Sequence, residues 1–562
     1  MDHALHHQVE PSREVDVDLT VTSGTWPAGL WGHAFIIGPA QPTVVNFCWA
    51  GFGIVTRVDL APNAAGVPHW TSRNVRTPDS ELMAAALGAV PPAELPGLLA
   101  GAQPAFTNTA PHFLGDRLLL TYDRQRPAEF DPQTLEFRSY IGAVADYPVV
   151  SPHSLFPGVL TTGHPVEDVD EGCMWWCNVG LEPLGRSRTD RQGPLQVVRW
   201  DGHGGIETWF VPGAAITQGI HEIAVTQDYV IFTEVGNQDE PGTFAGRGRT
   251  KPHPPYSDIF IVAKRELTRE RRGKAVPCAH ARLPYESFHE FADYRQDGDD
   301  ITLYIAHSNG WDLNIALGES DRTWHGARPI APGLHGFLPL PVDASPVGRY
   351  VIDGRTGEVK DTRLFVDPER HWATLLYGRD MRRPALERSR YLWQAYWGYN
   401  PEMLVPQAVE LHREHPYRIV PVEELSAQPR PSTVACIDLE TMQEQSSWAF
   451  PAGSFAQSPV YVPDRGEGGV QGEGWMLAFV QFPDHTELQV FDALALGKGP
   501  IATATAPGLK QSFQVHSGWM PRLAPQPVDY RRSSLAADLG PAWRELPAAL
   551  RAAVEPVVQR WS

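Results

Sequence analysis

From Leu19 to about Met520 the chain is written in short apolar beats that stop at turns. DLTVTSGTW, GDRLLLTYD, DYVIFTEVG, TVACIDLET and GWMLAFVQF are strand-length runs rich in β-branched, aromatic and leucine residues. Each is bounded by Gly, Asp, Asn or Pro, the punctuation of antiparallel strands. The 50 glycines and 52 prolines are spread along the chain, which suits many short strands and disfavours a helical protein. The pattern predicts an all-β fold over residues 19–520. No repeat of 40–50 residues is visible, so periodicity alone does not establish a propeller.

Two segments break this rhythm. Residues 78–103, PDSELMAAALGAVPPAELPGLLAGAQ, are rich in Ala and Leu and part at Pro91-Pro92, which predicts a helical insertion with caps at Ser80 and Pro92. Packing on the surface accounts for such a pair. A second reading makes it an apolar lip that touches a membrane peripherally or admits an apolar substrate. Residues 521–562 form a C-terminal extension in which Trp543, Leu546, Leu550, Val554, Val557 and Trp561 fall near helical spacing, so a helix docks there. Residues 1–18, acidic and without an apolar run, read as a flexible polar arm and not as a secretory leader.

The net charge of −19 gives no basic footprint for nucleic acid. Five cysteines in 562 residues, an odd number, fit a reducing compartment without a disulfide framework. No window reaches the roughly 20 apolar residues of a membrane span. The expected location is the cytoplasm. Cys173 and Cys177 have no second pair nearby to complete a structural zinc site, and the Gly51-Phe52-Gly53 triplet lacks a surrounding dinucleotide-binding pattern.

Four of the 21 histidines stand apart: His164 in TTGHPVEDVD, His221 in IHEIAVTQDYVIF, His289 in YESFHEFADY and His516 in SFQVHSGWMP. His221 sits where a loop ends, and the other three occur near a Gly, Pro or aromatic at the edge of a β-like run. Taken singly, each could be an ordinary core or surface histidine; as a group they read as one metal site. Neutral imidazole is the commonest protein ligand for a redox or Lewis-acid metal. Four imidazoles without a carboxylate leave a divalent iron its full charge, whereas structural zinc usually recruits cysteines. Such ligands need hydrogen bonds to the far ring nitrogen, and Asp123, Glu222, Glu290, Gln457 and Ser458 are candidates to provide them.

These four segments, together with WPAGLWGHAFIIGPAQP and TNTAPHFLGDRLLLTYDRQRPAEFDPQTLEF, resemble the carotenoid cleavage oxygenases. The likeness runs from about Gly24 to Met520, and the four histidine segments fall in order on the family's iron-ligand segments. The resemblance implies a seven-bladed β-propeller with one Fe(2+) on its axis, a helical dome, an apolar tunnel, and O2 as co-substrate. It implies cleavage of a conjugated C=C bond in an apocarotenoid-like alkene, with stilbene cleavage, polyene isomerisation and a non-catalytic binding propeller as alternatives. This chain departs from the family at Phe52, where an Asp is usual, and at Ile36-Ile37 before Gly38-Pro39. Of the family's three orienting glutamates, one aligns with Asp123 and one with Ser458; the third has no placed counterpart, with Asp380 a candidate. The positions that bind a phenol in stilbene cleavers align with Phe113 and Tyr122, which tilts the expectation toward an apolar polyene.

Overall fold

Strand-length runs separated by tight turns pair most readily with their neighbours in the chain, and most strands of the computed structural model do so. It describes residues 3–40, 46–179, 193–216, 219–236, 252–374, 376–380, 388–465 and 470–562. Seven antiparallel sheets follow one another as blades of a propeller. Five are built from consecutive segments that begin at Pro111, Val166, Ile220, Ser287 and Leu376. In the fourth, for example, Ile220–Val225, Tyr229–Glu234, Tyr256–Ala263 and Ala279–Pro284 lie side by side.

The remaining two blades close the ring by exchanging the ends of the chain. Thr20–Gly24 pairs with Ala502–Thr505 at the rim of the last blade, while His516–Met520 pairs with His33–Pro39 at the axial edge of the first. Both ends are thereby held in ladders, and no blade presents a bare seam at the closure. Between blades, alternate side chains interdigitate in apolar clusters such as Trp175, Val197, Trp209, Ile223 and Phe232, or Ile231, Ile261, Leu303 and Ile352.

The expectation of a flexible arm over residues 1–18 is corrected. Ala4 and Leu5 are buried against Trp311, Leu334 and Leu340, the Ala4 amide donates to the Gly453 carbonyl at 2.8 Å, and Val15–Asp18 adds an outer strand to the first blade. Apolar burial of Ala4 and Leu5, backbone hydrogen bonds and the added strand together anchor the segment.

The insertion forms the helix Pro78–Ala89 and a single turn, Leu95–Leu98. Its cap is Thr77 rather than Ser80: Thr77 Oγ1 accepts the Ser80 amide, and Ser80 Oγ accepts the Thr77 amide at 2.9 Å. Leu82, Met83 and Ala86 are buried against Leu550, Val554 and Val558 of the C-terminal helix Ala548–Arg560. Arg560 and the Trp561 indole both donate to Glu81, at 3.0 and 2.9 Å, and lock the two helices together. Among the described residues, no helix is long and apolar enough to cross a membrane.

Candidate metal centre

In a propeller the first strand of each blade lies at the axis, so a residue near its start points into the central channel. Successive blades meet there through isolated bridges: His164 bridges to Glu222, and Val235 to Ser287. His221 is second in Ile220–Val225, His289 lies in Ser287–Ala292, His516 begins His516–Met520, and His164 stands one proline before Val166–Asp168. The sheet register is irregular between Ile220 and Ile223 and between Ser287 and His289. Such bulges turn a side chain out of the regular pleat, here at two of the four histidines.

The structure brings all four together. One ring nitrogen from each lies within 4.8 Å of the others, and the ring centroids of His164 and His516 are 4.2 Å apart. The Nε2 atoms of His164, His221 and His289 are buried and receive no hydrogen bond from protein. Buried polar atoms are rarely left so, and three converging on one point fit a bound cation. Burial, followed by the charges of the neighbouring rings, pushes His164, His289 and His516 well below the usual imidazole range. They are therefore neutral at pH 7, the form in which imidazole offers a lone pair to a metal.

Two carboxylates orient the rings. Asp123 Oδ1 lies 2.7 Å from His221 Nδ1 and also accepts the Gly163 amide at 2.8 Å. Glu222 Oε2 lies 2.9 Å from His289 Nδ1 and accepts the Glu290 amide, while its Oε1 accepts the Tyr377 hydroxyl at 2.7 Å. The third orienting carboxylate, sought at Asp380, is thus Glu222, the residue next to a ligand histidine. Ser458 does not take the place of a carboxylate: its hydroxyl receives Ser517 Oγ at 2.8 Å and no imidazole. Among the described residues, His164 and His516 have no carboxylate on their rings.

Gly163 makes this crowding possible. A Cβ there would lie 2.9 Å from Asp123 Oδ1 and 3.0 Å from His221 Cε1. The segment TTGHP therefore needs glycine just before its ligand for reasons of space.

Sequence reading passed over two groups at the axis. His112, second in the strand Pro111–Leu114, sets its ring edge-on to His164 with centroids 5.2 Å apart. Burial lowers it to about 4, and its Nε2 lacks a hydrogen-bond partner. Its place in the strand parallels that of His221 in IHEIAV, the signal that could have found it. Tyr377, on the short axial strand Leu376–Gly378, had no such pattern around it.

Phe113 and Tyr122 part company. Side chains alternate along a strand, so Phe113 faces away from His112; its ring packs 5.7 Å from Phe35 and against Gly518. The expected role of Phe113 at the substrate is corrected to one in the seam between blades. Tyr122 instead heads a row of edge-on aromatic rings, 5.6 Å from Phe106, which is 5.2 Å from Phe52. Phe52 packs against the cluster that contains the helix Pro78–Ala89.

A family model described as retinal pigment epithelial membrane protein, RPE65, matches residues 7–521. The chain belongs to this family. Its members, the carotenoid cleavage oxygenases, are non-haem iron enzymes, and the expected family, propeller and enzyme class hold. Among solved structures, the lignostilbene dioxygenase of Pseudomonas brassicacearum is 17% identical, with a TM-score of 0.60 over 91% of this chain and 97% of that one. A variant of the Synechocystis apocarotenoid oxygenase is 20% identical, with a TM-score of 0.61 over 92% and 98%. Resveratrol cleavage oxygenase 1 of Chaetomium globosum is 34% identical over 87 residues, 15% of this chain and 14% of that enzyme. The match thus spans about a seventh of that relative's length. RPE65-family membership coincides with the four-histidine cluster that defines the axis.

Proposed function

We propose that this member of the RPE65 family is an oxygenase that splits a conjugated C=C bond of an apolar alkene into two carbonyl products. The observation that carries the reading is the run of rings Phe52, Phe106 and Tyr122, which ends one residue from Asp123, the carboxylate on His221. Ferrous iron held by His164, His221, His289 and His516 would supply the activation of dioxygen. The chain's own residues do the rest. Asp123 and Glu222 hold two imidazoles in the tautomer that presents Nε2 inward. The aromatic rings bind a flat conjugated ligand by area and edge-on contact, without a charged partner. Burial of the axis excludes water from the reacting bond. No side chain has to move a proton in such a cleavage.

The preferred substrate class is an apocarotenoid-like polyene, since the row of rings offers one hydroxyl and no cation. A hydroxystilbene is the second reading, favoured by the Tyr122 hydroxyl and by the likeness to lignostilbene and resveratrol cleaving enzymes. Protein loaded with iron under anaerobic conditions and assayed against apocarotenals, carotenoids and stilbenes tests both. Two carbonyl products labelled from 18O2 support cleavage. A rearranged product without label would replace it with isomerisation, and retention of ligand without turnover would leave a binding propeller.

A further inference from the structure

A second cluster of metal-ligating side chains lies apart from the axial four. His253 precedes the strand Tyr256–Ala263, Asp312 follows the strand Asp300–His307, and His412 caps the C-terminal end of the helix Pro406–Leu411. All three are at most 2% exposed. One ligand atom from each lies within 4.8 Å of the others.

Their spacing is informative. His253 Nε2 is 3.4 Å from Asp312 Oδ1, and His412 Nε2 is 3.4 Å from Asp312 Oδ2. These separations exceed the roughly 2.7–3.2 Å usual for N–H···O hydrogen bonds. They are of the order of the ~3.4 Å between ligand atoms that share one cation with bonds of ~2.1 Å, although each nitrogen faces a different carboxylate oxygen. One imidazole nitrogen thus stands before each carboxylate oxygen. The other nitrogen of His412, Nδ1, is buried without a hydrogen-bond partner.

The surroundings favour positive charge. Glu286, fully buried, touches this group across Gly236, where an added Cβ would meet Glu286 Cβ at 2.7 Å and His253 Nδ1 at 3.7 Å. His415 Nε2 sits 2.9 Å from Glu286 Oε2, and the Gly310 amide donates to Oε1 at 3.2 Å. Two carboxylates are therefore enclosed in one region with three imidazoles.

We propose that His253, Asp312 and His412 form a second site, for a divalent transition cation of the zinc type, separate from the axial centre. Two imidazoles and a carboxylate suit that ion, with a fourth position left for water. The three ligands come from segments 59 and 100 residues apart. A cation there would staple the fourth blade, the fifth blade and the helix above them, so its binding energy would be folding energy.

The test uses the full chain, stripped with a chelator, loaded with iron under anaerobic conditions and then titrated with zinc. Metals per chain are measured after gel filtration, and thermal unfolding is followed. One iron and one zinc per chain, with zinc raising Tm, is the expected result. His412→Gln and Asp312→Asn should keep the iron and lose the zinc together with its Tm increment. His164→Ala should lose iron and keep zinc. Should the variants fold poorly, cobalt(II) added to the iron-loaded wild type must give the visible absorption of a four-coordinate site. Wild-type protein that takes up no zinc beyond its iron, or zinc binding that disappears with His164, would overturn the proposal and leave a hydrogen-bonded network.

Discussion

Glu222 follows His221 in the chain but holds the ring of His289, 67 residues away, at 2.9 Å. The alternation of a strand explains the pairing: His221 turns toward the axis, and the next side chain turns toward the neighbouring axial strand. One dipeptide thus supplies a ligand to the metal and an orienting carboxylate to another ligand. Burial raises the Glu222 carboxyl, while the Tyr377 hydroxyl, the Glu290 amide and the charges of His221 and Arg379 counter this.

Removing that carboxylate should loosen the metal without unfolding the propeller. Glu222→Ala is expected to weaken iron binding about 10- to 100-fold, the usual effect of losing a group that orients a ligand histidine. Iron per chain after dialysis reads the loss, and excess iron should restore part of the turnover. Tyr377→Phe should show the same defect in weaker form, since it removes one hydrogen bond to Glu222.

Gly163→Ala should damage the centre through space alone. The added methyl would press on Asp123 Oδ1 and His221 Cε1, both within 3.0 Å. Overpacking of this kind costs about 1–3 kcal/mol. The expected outcome is a lower Tm and reduced iron content, with all four histidines intact.

Two substitutions in the aromatic row separate the candidate substrates. Phe106→Ala should raise KM severalfold for any flat apolar substrate, because it removes the middle ring between Phe52 and Tyr122. Tyr122→Phe should leave polyene turnover nearly unchanged and lower it for a hydroxystilbene. Steady-state kinetics on both classes reads the difference; equal effects on both would argue against a role for the hydroxyl.

Acid should destabilise the protein earlier than its carboxylates alone would require. Burial lowers His307 and His371 to about 4. Both bind protons in the unfolded chain near pH 6.5 but not in the folded one, so stability is present above that pH and is lost as pH falls toward 4. Each contributes on the order of 1 kcal/mol per pH unit across this window. Denaturant unfolding between pH 7 and 5 should show the slope, and His307→Phe should flatten it.

Much of the site was legible because its ligands fall at the starts of strand-like runs, where hydrophobic pattern and turn residues are strong. His164, His221, His289 and His516 could be chosen that way. Asp123 could be chosen from its strand pair. His112, second in its strand like His221 and set between Pro111 and Phe113, carried the same local signal and was passed over. Ser458 and Phe113 were placed by alignment alone, which fixes position along the chain but not the face a side chain takes.

The sequence by itself determined the strand-and-turn order, the four imidazoles and the family. The strand order follows from local periodicity, while the four imidazoles and the family rest on the resemblance of their ordered segments to the carotenoid cleavage oxygenases. Only the tertiary structure decided which carboxylate serves which ring, that residues 3–18 dock, and that His253, Asp312 and His412 meet. Such pairings depend on how blades are rotated against one another. That rotation is set by packing between strands far apart in the chain and leaves no trace in local pattern.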